Sequence, residues 1–189
     1  EVYFDARLAG ILKPAKDHAL AVKILRDRSE GLFLYARFVD ATLKNLGTPV
    51  SLKQIQNKEN FADSLPDTYK IYFGRFLETT LKGNKDVYQT LLGSMLVARS
   101  NLPQDLAYTV LDNMDGVNTD RALESLLDSV KNLLKSETNN TIAFVHKSMP
   151  DWLSGDQNTS KTLSITLQEA HERMVQLLKE VMQDEPDMP

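Results

Sequence analysis

The chain has 189 residues, 42% of them hydrophobic and 25% charged, which is ordinary for a globular protein with a real core. It contains no cysteine, which excludes disulfide bonds and thiolate chemistry. No segment approaches the roughly 18 consecutive apolar residues of a membrane span, and no secretory signal opens the chain. We therefore expect a cytoplasmic protein without a membrane span. Because no initiating Met is present, we also expect a piece of a larger protein.

The net charge of −4 is unevenly distributed along the chain. Residues 1–83 carry 13 basic against 10 acidic side chains, residues 84–157 carry 6 against 10, and residues 158–189 carry 3 against 6. No segment has the basic footprint that nucleic-acid binding requires. The charge pattern therefore predicts no nucleic-acid partner.

The first third of the chain shows helical periodicity. A helix is predicted over residues 17–28, with Leu20, Ile24 and Leu25 on its inner face, and Gly31 suits the left-handed turn that ends it. A second helix follows, and its inner face consists of Leu34, Tyr35, Phe38, Val39, Thr42 and Leu43. Ser51 and Gln54 have the spacing of a capping box, which predicts a third helix start.

The middle of the chain has two further capping signals. The sequence at residues 64–67 combines Ser64 with a proline and an acid, and it predicts a helix that carries an aromatic face of Tyr69, Tyr72, Phe73 and Phe76. Asn84 caps the next predicted helix.

Residues 84–157 predict three short helices followed by two strands. Pro103 starts the second helix, which Asp115 and Gly116 end, and the third helix starts near Thr119. Residues 130–134 and 141–145 then read as a β-hairpin around a turn-rich segment. This order is that of a winged helix, a variant of the helix-turn-helix.

Two more helices are predicted toward the end of the chain. Ser148 is the expected cap of the first, in which Trp152 is a core residue. Residues 166–184 form an amphipathic helix whose inward side chains are Ala170, Met174, Leu177, Leu178 and Val181.

The usual patterns of a catalytic site are absent from the sequence. The three histidines, His18, His146 and His171, form no metal-ligand pair, and no cysteine completes a zinc site. The glycines form neither a phosphate-binding loop nor a dinucleotide fingerprint, and there is no nucleophile elbow. The chain by itself is therefore not expected to be an enzyme.

Three sequence segments indicate a protein family more specifically than helical periodicity does. They are SEGLFLYA at residues 29–36, SLPD at residues 64–67 and IAFVHKSMPDWL at residues 142–153. In this order and spacing they resemble the NACHT family of signal-transducing ATPases (STAND class), in particular animal-type members with C-terminal repeats. The resemblance implies a mainly α fold, with a helical bundle subdomain followed by a winged-helix domain and a small β-hairpin wing.

The resemblance also implies a domain organisation. Residues 1–62 would form the helical subdomain that follows an ATPase core, and residues 63–83 would form a connecting helix. Residues 84–157 would form the winged-helix domain, and residues 158–189 would begin a C-terminal helical region. The phosphate-binding loop and the magnesium-binding acids would lie upstream of this chain.

Three residues are implied as nucleotide contacts. His146 matches the family histidine that reaches the β-phosphate of ADP, although a lone histidine at a strand end is more often a structural hydrogen-bonding group. Gly31 and Phe33 match a glycine-x-proline step whose proline packs on the nucleotide. Phe33 replaces that proline, so it either stacks on adenine or ribose or lies in the core. His171 also matches a recurring family histidine, for which we expect a helix-packing contact and no ligand.

The implied function is that of a regulatory lid, which closes over ADP and controls oligomerisation and signalling. ADP or ATP would bind only together with the upstream ATPase core, and slow ATP hydrolysis is expected only of the complete protein. The implied partners are that core, the downstream repeats and further copies of the protein. Two alternatives remain, a DNA-binding winged helix and a helical scaffold without nucleotide control. The segment from the predicted third helix through the first predicted strand, residues 119–135, has a net charge of zero, which disfavours DNA.

Overall fold

The computed structural model describes residues 2–98, 101–112, 126–155, 158 and 160–184. The fold is mainly helical with a small three-stranded antiparallel sheet, which confirms the predicted class at that level. The chain divides into two compact units, residues 1–71 and residues 72–189, and both bury apolar side chains.

The first unit is helical. Its helices are α1 (Val2–Leu8), α2 (His18–Ser29), α3 (Phe33–Leu46), α4 (Leu52–Gln56) and α5 (Leu65–Arg75). The boundary between the units falls inside α5, after Ile71. A single turn of 3-10 helix, Ala15–Asp17, precedes α2. Helix α1, which packs against α2, was not expected from the sequence.

The predicted caps of the first unit are present. Ser51 and Gln54 form a complete capping box at the start of α4. At the start of α5, the hydroxyl of Ser64 accepts a bond from the backbone N–H of Asp67 at 3.2 Å and donates to the Asp67 carboxylate at 2.7 Å. Each cap satisfies backbone donors that the first helical turn leaves unpaired.

The core of the first unit lies among its helices. The predicted inner face of α3 is confirmed, with Leu34 half-buried and the rest buried. The predicted face of α2 is partly wrong, because Leu20 is exposed while Ala21 and Val22 are buried beside Leu25. Helices α1, α3 and α4 all pack against α2, so its neighbours determine which side is covered.

The second unit contains helices and the sheet. Its helices are α6 (Lys85–Val97), α7 (Gln104–Asp112), α8 (Ser148–Ser154) and α9 (Leu167–Asp184), and a π-helical turn, Phe76–Thr80, follows α5. Asn84 caps α6 as predicted, by accepting a bond from the N–H of Val87 at 3.1 Å. Residues 126–129 are helical, whereas the predicted start of the third helix near Thr119 and the predicted stop at Asp115 and Gly116 lie outside the described residues.

The strands are β1 (Leu102–Pro103), β2 (Leu134–Glu137) and β3 (Thr141–Phe144), in the order β1-β3-β2. β2 and β3 form the predicted hairpin, with Leu134 paired to Phe144. The hairpin's first strand begins at Leu134 and not at residue 130, because the carbonyl of Val130 accepts turn bonds from Leu133 and Leu134. Strand β1 was not expected from the sequence. Pro103 was predicted to start a helix, but it lies in β1 and the helix begins one residue later.

Helix α9 packs on α6. A Cβ placed on Gly93 would lie 3.3 Å from the Cα of Ala170, so the two helices approach closely at that point. Ala170 and Leu177 are buried as predicted, but Leu178 is exposed and its inward assignment is wrong. The division of the chain into residues 1–62, 63–83, 84–157 and 158–189 remains a prediction.

Candidate functional site

His146 lies in the short link between β3 and α8. The hairpin holds the start of this link, because the N–H of Val145 donates to the carbonyl of Leu133 at 2.9 Å. The carbonyl of His146 accepts a bond from the N–H of Met149 at 3.1 Å, and Met149 is fully buried. The backbone on both sides is therefore anchored, while the imidazole itself is exposed.

The contacts of the His146 ring define its neutral tautomer. Its Nδ1 lies 3.2 Å from the backbone nitrogen of Ser148 and 2.7 Å from the Ser148 hydroxyl. A backbone N–H only donates, so Nδ1 must be the acceptor and the proton of the neutral ring sits on Nε2. The ring therefore presents an Nε2–H donor on the side away from Ser148.

Ser148 does not cap α8 as predicted. The helix begins at Ser148 itself, and the residue before it, Lys147, makes no side-chain capping bond. Instead, the backbone N–H of Ser148 is satisfied by the His146 ring. Trp152 is buried as predicted and stacks on Phe73, with ring centroids 5.5 Å apart and 10° between the ring planes.

Gly31 lies in the turn between α2 and α3. Its φ of +79° is left-handed, as predicted, and Glu30 before it is also left-handed at +47°. A Cβ at Gly31 would meet no atom within 4 Å. The backbone angle therefore favours glycine here, and no close neighbouring atom requires it.

Phe33 is the first residue of α3, and 71% of it is exposed. Its ring makes an edge contact with Tyr3 of α1, with centroids 6.0 Å apart. The alternative that Phe33 lies in the core is therefore wrong. Tyr3 was not expected at this position, because α1 was not predicted from the sequence. The pKa of Tyr3 is raised, mainly by burial and then by its hydrogen bond to Asp40.

The candidate residues fall in both compact units. Gly31 and Phe33 lie on one turn of the first unit, whereas His146 lies in the second. His171 is exposed, with its Nδ1 2.6 Å from the carbonyl oxygen of Leu167 in the same helix. The expected packing of His171 against another helix therefore stays a prediction.

The side-chain chemistry of two of these residues fits parts of a nucleotide. An exposed imidazole N–H is a suitable donor for a phosphate oxygen, and an exposed phenyl ring offers a face to a base. Gly31 forms no cradle that a Cβ would fill. No group of three or more potential metal ligands occurs among the residues that the structure describes.

No family model, curated protein or solved structure matches this chain. Within the described ranges, none of the helices combines the length and the apolar character that crossing a bilayer requires.

Proposed function

We propose that this chain is the regulatory part of a cytoplasmic, NACHT-type ATP/ADP switch. Residues 84–157 would act as a winged-helix lid that closes over ADP bound to an ATPase core in the same polypeptide. Release of the lid on exchange for ATP would expose surfaces for oligomerisation and signalling. The proposal rests on the three sequence segments at residues 29–36, 64–67 and 142–153, together with the geometry of His146.

The orientation of the His146 ring is the observation that carries the proposal. A lid residue that reaches a phosphate needs a donor directed at the ligand and a ring that does not rotate away. Ser148 supplies two contacts to Nδ1 and so holds the ring, which leaves Nε2–H as the outward donor. A neutral ring would give one hydrogen bond to the β-phosphate, and a protonated ring would add charge.

The order of elements in the second unit supports the winged-helix assignment. Helix α6, strand β1, helix α7, the helical residues 126–129 and the β2–β3 hairpin follow one another along the chain. The short strand between the first two helices pairs with the second strand of the hairpin, which joins the helical part to the wing. This connectivity is typical of winged helices, and it is compatible with a lid as well as with other uses of the fold.

A switch requires the His146 contact in one state only. A ligand shifts a two-state equilibrium by its differential affinity for the two states, so a contact made to ADP in the closed state alone favours closure. Loss of that contact should therefore speed ADP release without preventing folding of the exposed link.

The test is ADP release from the full polypeptide that carries the ATPase core, measured with a fluorescent ADP analogue. We expect His146→Ala to raise the ADP off-rate about tenfold, the equivalent of roughly 1.4 kcal/mol for one lost hydrogen bond. Thr162→Ala is the control, because Thr162 is an exposed side chain of the same unit outside both the link and the α9 helix, and it should leave the rate unchanged.

Two other results would count against the proposal. An unchanged off-rate in His146→Ala would remove His146 from the nucleotide site. Recovery of the full protein without bound nucleotide, and without ADP affinity, would instead favour a helical scaffold that has lost nucleotide control.

A further inference from the structure

Helix α9 carries two rows of apolar side chains. The inner row packs on α6 and consists of Ala170, Met174, Leu177 and Val181, which are buried or half-buried. The second row lies beside the first and is exposed. Its members are Leu167, Val175, Leu178 and Met182, with exposed fractions of 53%, 52%, 40% and 76%.

Three members of the exposed row have, together with His171, the spacing of a coiled-coil seam, which does not include Leu167. His171, Val175, Leu178 and Met182 are separated by four, three and four residues, the alternation of positions d, a, d and a in a heptad. A helix of 18 residues is about 27 Å long, so the seam runs along most of α9. A surface helix that already buries one apolar row does not need a second one for its own packing.

We propose that this seam pairs with the same seam of a second copy of the chain, with the two α9 helices antiparallel. In that register Val175 of each copy packs against Leu178 of the other, and His171 packs against Met182. The inference is independent of the proposed nucleotide switch, because it uses only the surface of α9.

The charges beside the seam favour this occupant and this direction. Glu172 and Lys179 directly follow the two d positions, so both are e residues, and both are exposed. Antiparallel pairing places e residues beside e residues, which brings Glu172 of each copy next to Lys179 of the other. Two opposite-charge pairs therefore flank the seam.

Parallel pairing would not use these charges. It would place e residues beside g positions, which are occupied by the apolar Leu167 and Met174. It would also bring His171 onto His171 of the second copy and align the two helix dipoles in the same direction. The antiparallel arrangement avoids the apolar neighbours of the e residues, the contact between the two histidines and the aligned dipoles.

The expected dimer is weak. A single helix face buries less surface than the roughly 1,200–2,000 Å² of a standard interface, and exposed ion pairs contribute little, so we expect a dissociation constant in the micromolar range.

The first test is sedimentation equilibrium of the full chain from low micromolar to about 1 mM. We expect reversible dimer formation, which Leu178→Glu should abolish by placing a charge in the seam. Gln183→Glu is the matched control, because Gln183 follows Met182 by one residue and points about 100° away around the helix. Circular dichroism must show unchanged helix content in both variants.

The second test is a charge swap. Glu172→Lys alone and Lys179→Glu alone each replace attraction by repulsion, and each should weaken the dimer by roughly three- to tenfold. The double variant restores both pairs in an antiparallel dimer and should recover the original affinity. Gln183→Lys and Gln183→Glu control for net charge.

Three outcomes would overturn the proposal. A monomer at every concentration would leave the row to a different partner. A dimer that is insensitive to Leu178→Glu would use another surface. A double charge variant that stays as weak as the single variants would exclude the antiparallel register.

Discussion

Tyr35 joins α3 to the segment before α5. Its hydroxyl donates to the carbonyl of Ala62 at 2.5 Å, and its side chain is almost completely buried. Burial raises the pKa of Tyr35 to about 12, because the phenolate would lose its hydration. The pKa of Tyr35 in the folded chain lies above its unfolded value near 10, so its contribution to the free energy of unfolding is fully present below pH 10. The contribution is lost as pH rises from 10 to about 12.

Tyr35→Phe should reveal that contribution. At neutral pH the variant leaves the Ala62 carbonyl without its donor, and we expect a loss of about 1 kcal/mol in the free energy of unfolding. The difference in free energy of unfolding between variant and wild type should shrink as pH rises from 10 to about 12. In that range the unfolded wild type is stabilised by ionisation of Tyr35, and the variant has no phenol to ionise. Urea unfolding at several pH values measures this, with Tyr108→Phe in α7 as the control. A difference that is constant with pH would contradict it.

Arg28 connects separate segments of the first unit through contacts that helical periodicity does not predict. Its guanidinium donates to the carbonyl of Ile55 at 3.0 Å and to that of Phe61 at 2.6 Å, and it pairs with Asp63 at 3.2 Å. It thereby holds the segment between α4 and α5 against the end of α2. In the sequence it is one of two arginines at a helix end, and nothing local distinguishes it from Arg26.

At the scale of the elements, α9 begins with a capping box. The Thr166 hydroxyl accepts a bond from the N–H of Glu169 at 3.2 Å, and the Glu169 carboxylate accepts bonds from the Thr166 hydroxyl at 2.7 Å and N–H at 3.2 Å. These bonds, first the one from the side chain of Thr166, lower the pKa of Glu169. The associated stability is therefore present above the unfolded pKa near 4.5 and is lost as pH falls through the lower folded value.

Thr166→Ala should destabilise α9 and the second unit. Loss of an N-cap costs about 1 kcal/mol, and we expect the loss to be smaller at acidic pH, where Glu169 becomes protonated and the wild-type cap also weakens. Thermal unfolding at neutral and acidic pH measures the effect. Thr162→Ala, an exposed threonine just before the helix, is the control and should change little. An equal effect at both pH values would indicate that the carboxylate does not take part.

For the molecule as a whole, an intrinsic fluorescence probe reports on the second unit alone. It contains a single tryptophan, Trp152, which is buried in the second unit against Phe73. Tryptophan fluorescence therefore reports the unfolding of residues 72–189, whereas the helical circular dichroism signal reports both units. Tyr35 belongs to the first unit.

We expect the two units to unfold in separate transitions, because each has the buried apolar residues of its own core. Tyr35→Phe should then lower the denaturant midpoint of one transition seen by circular dichroism and leave the midpoint of the tryptophan fluorescence transition unchanged. Denaturant titrations followed by both signals measure this. Equal shifts of both signals would mean that the chain unfolds as one cooperative body.

Part of the candidate site could be predicted from the sequence. The left-handed turn at Gly31 follows from a glycine after a helix, and the position of His146 after a strand follows from the hairpin pattern. The exposure of Phe33 and its contact with Tyr3 could not be predicted, because they depend on where α1 lies. The orientation of the His146 ring depends on the start of α8, which was predicted with Ser148 in the wrong role.

Local sequence patterns were enough to predict the mainly helical class, the helix starts at Ser51, Ser64 and Asn84, and the β2–β3 hairpin. These features depend on bonds between residues a few positions apart, so their patterns are visible locally. The folded chain was needed to show which side of α2 is buried, how β1 pairs with β3 about 40 residues later, and which carbonyls Arg28 binds. These features depend on contacts between distant segments, for which local periodicity carries no signal.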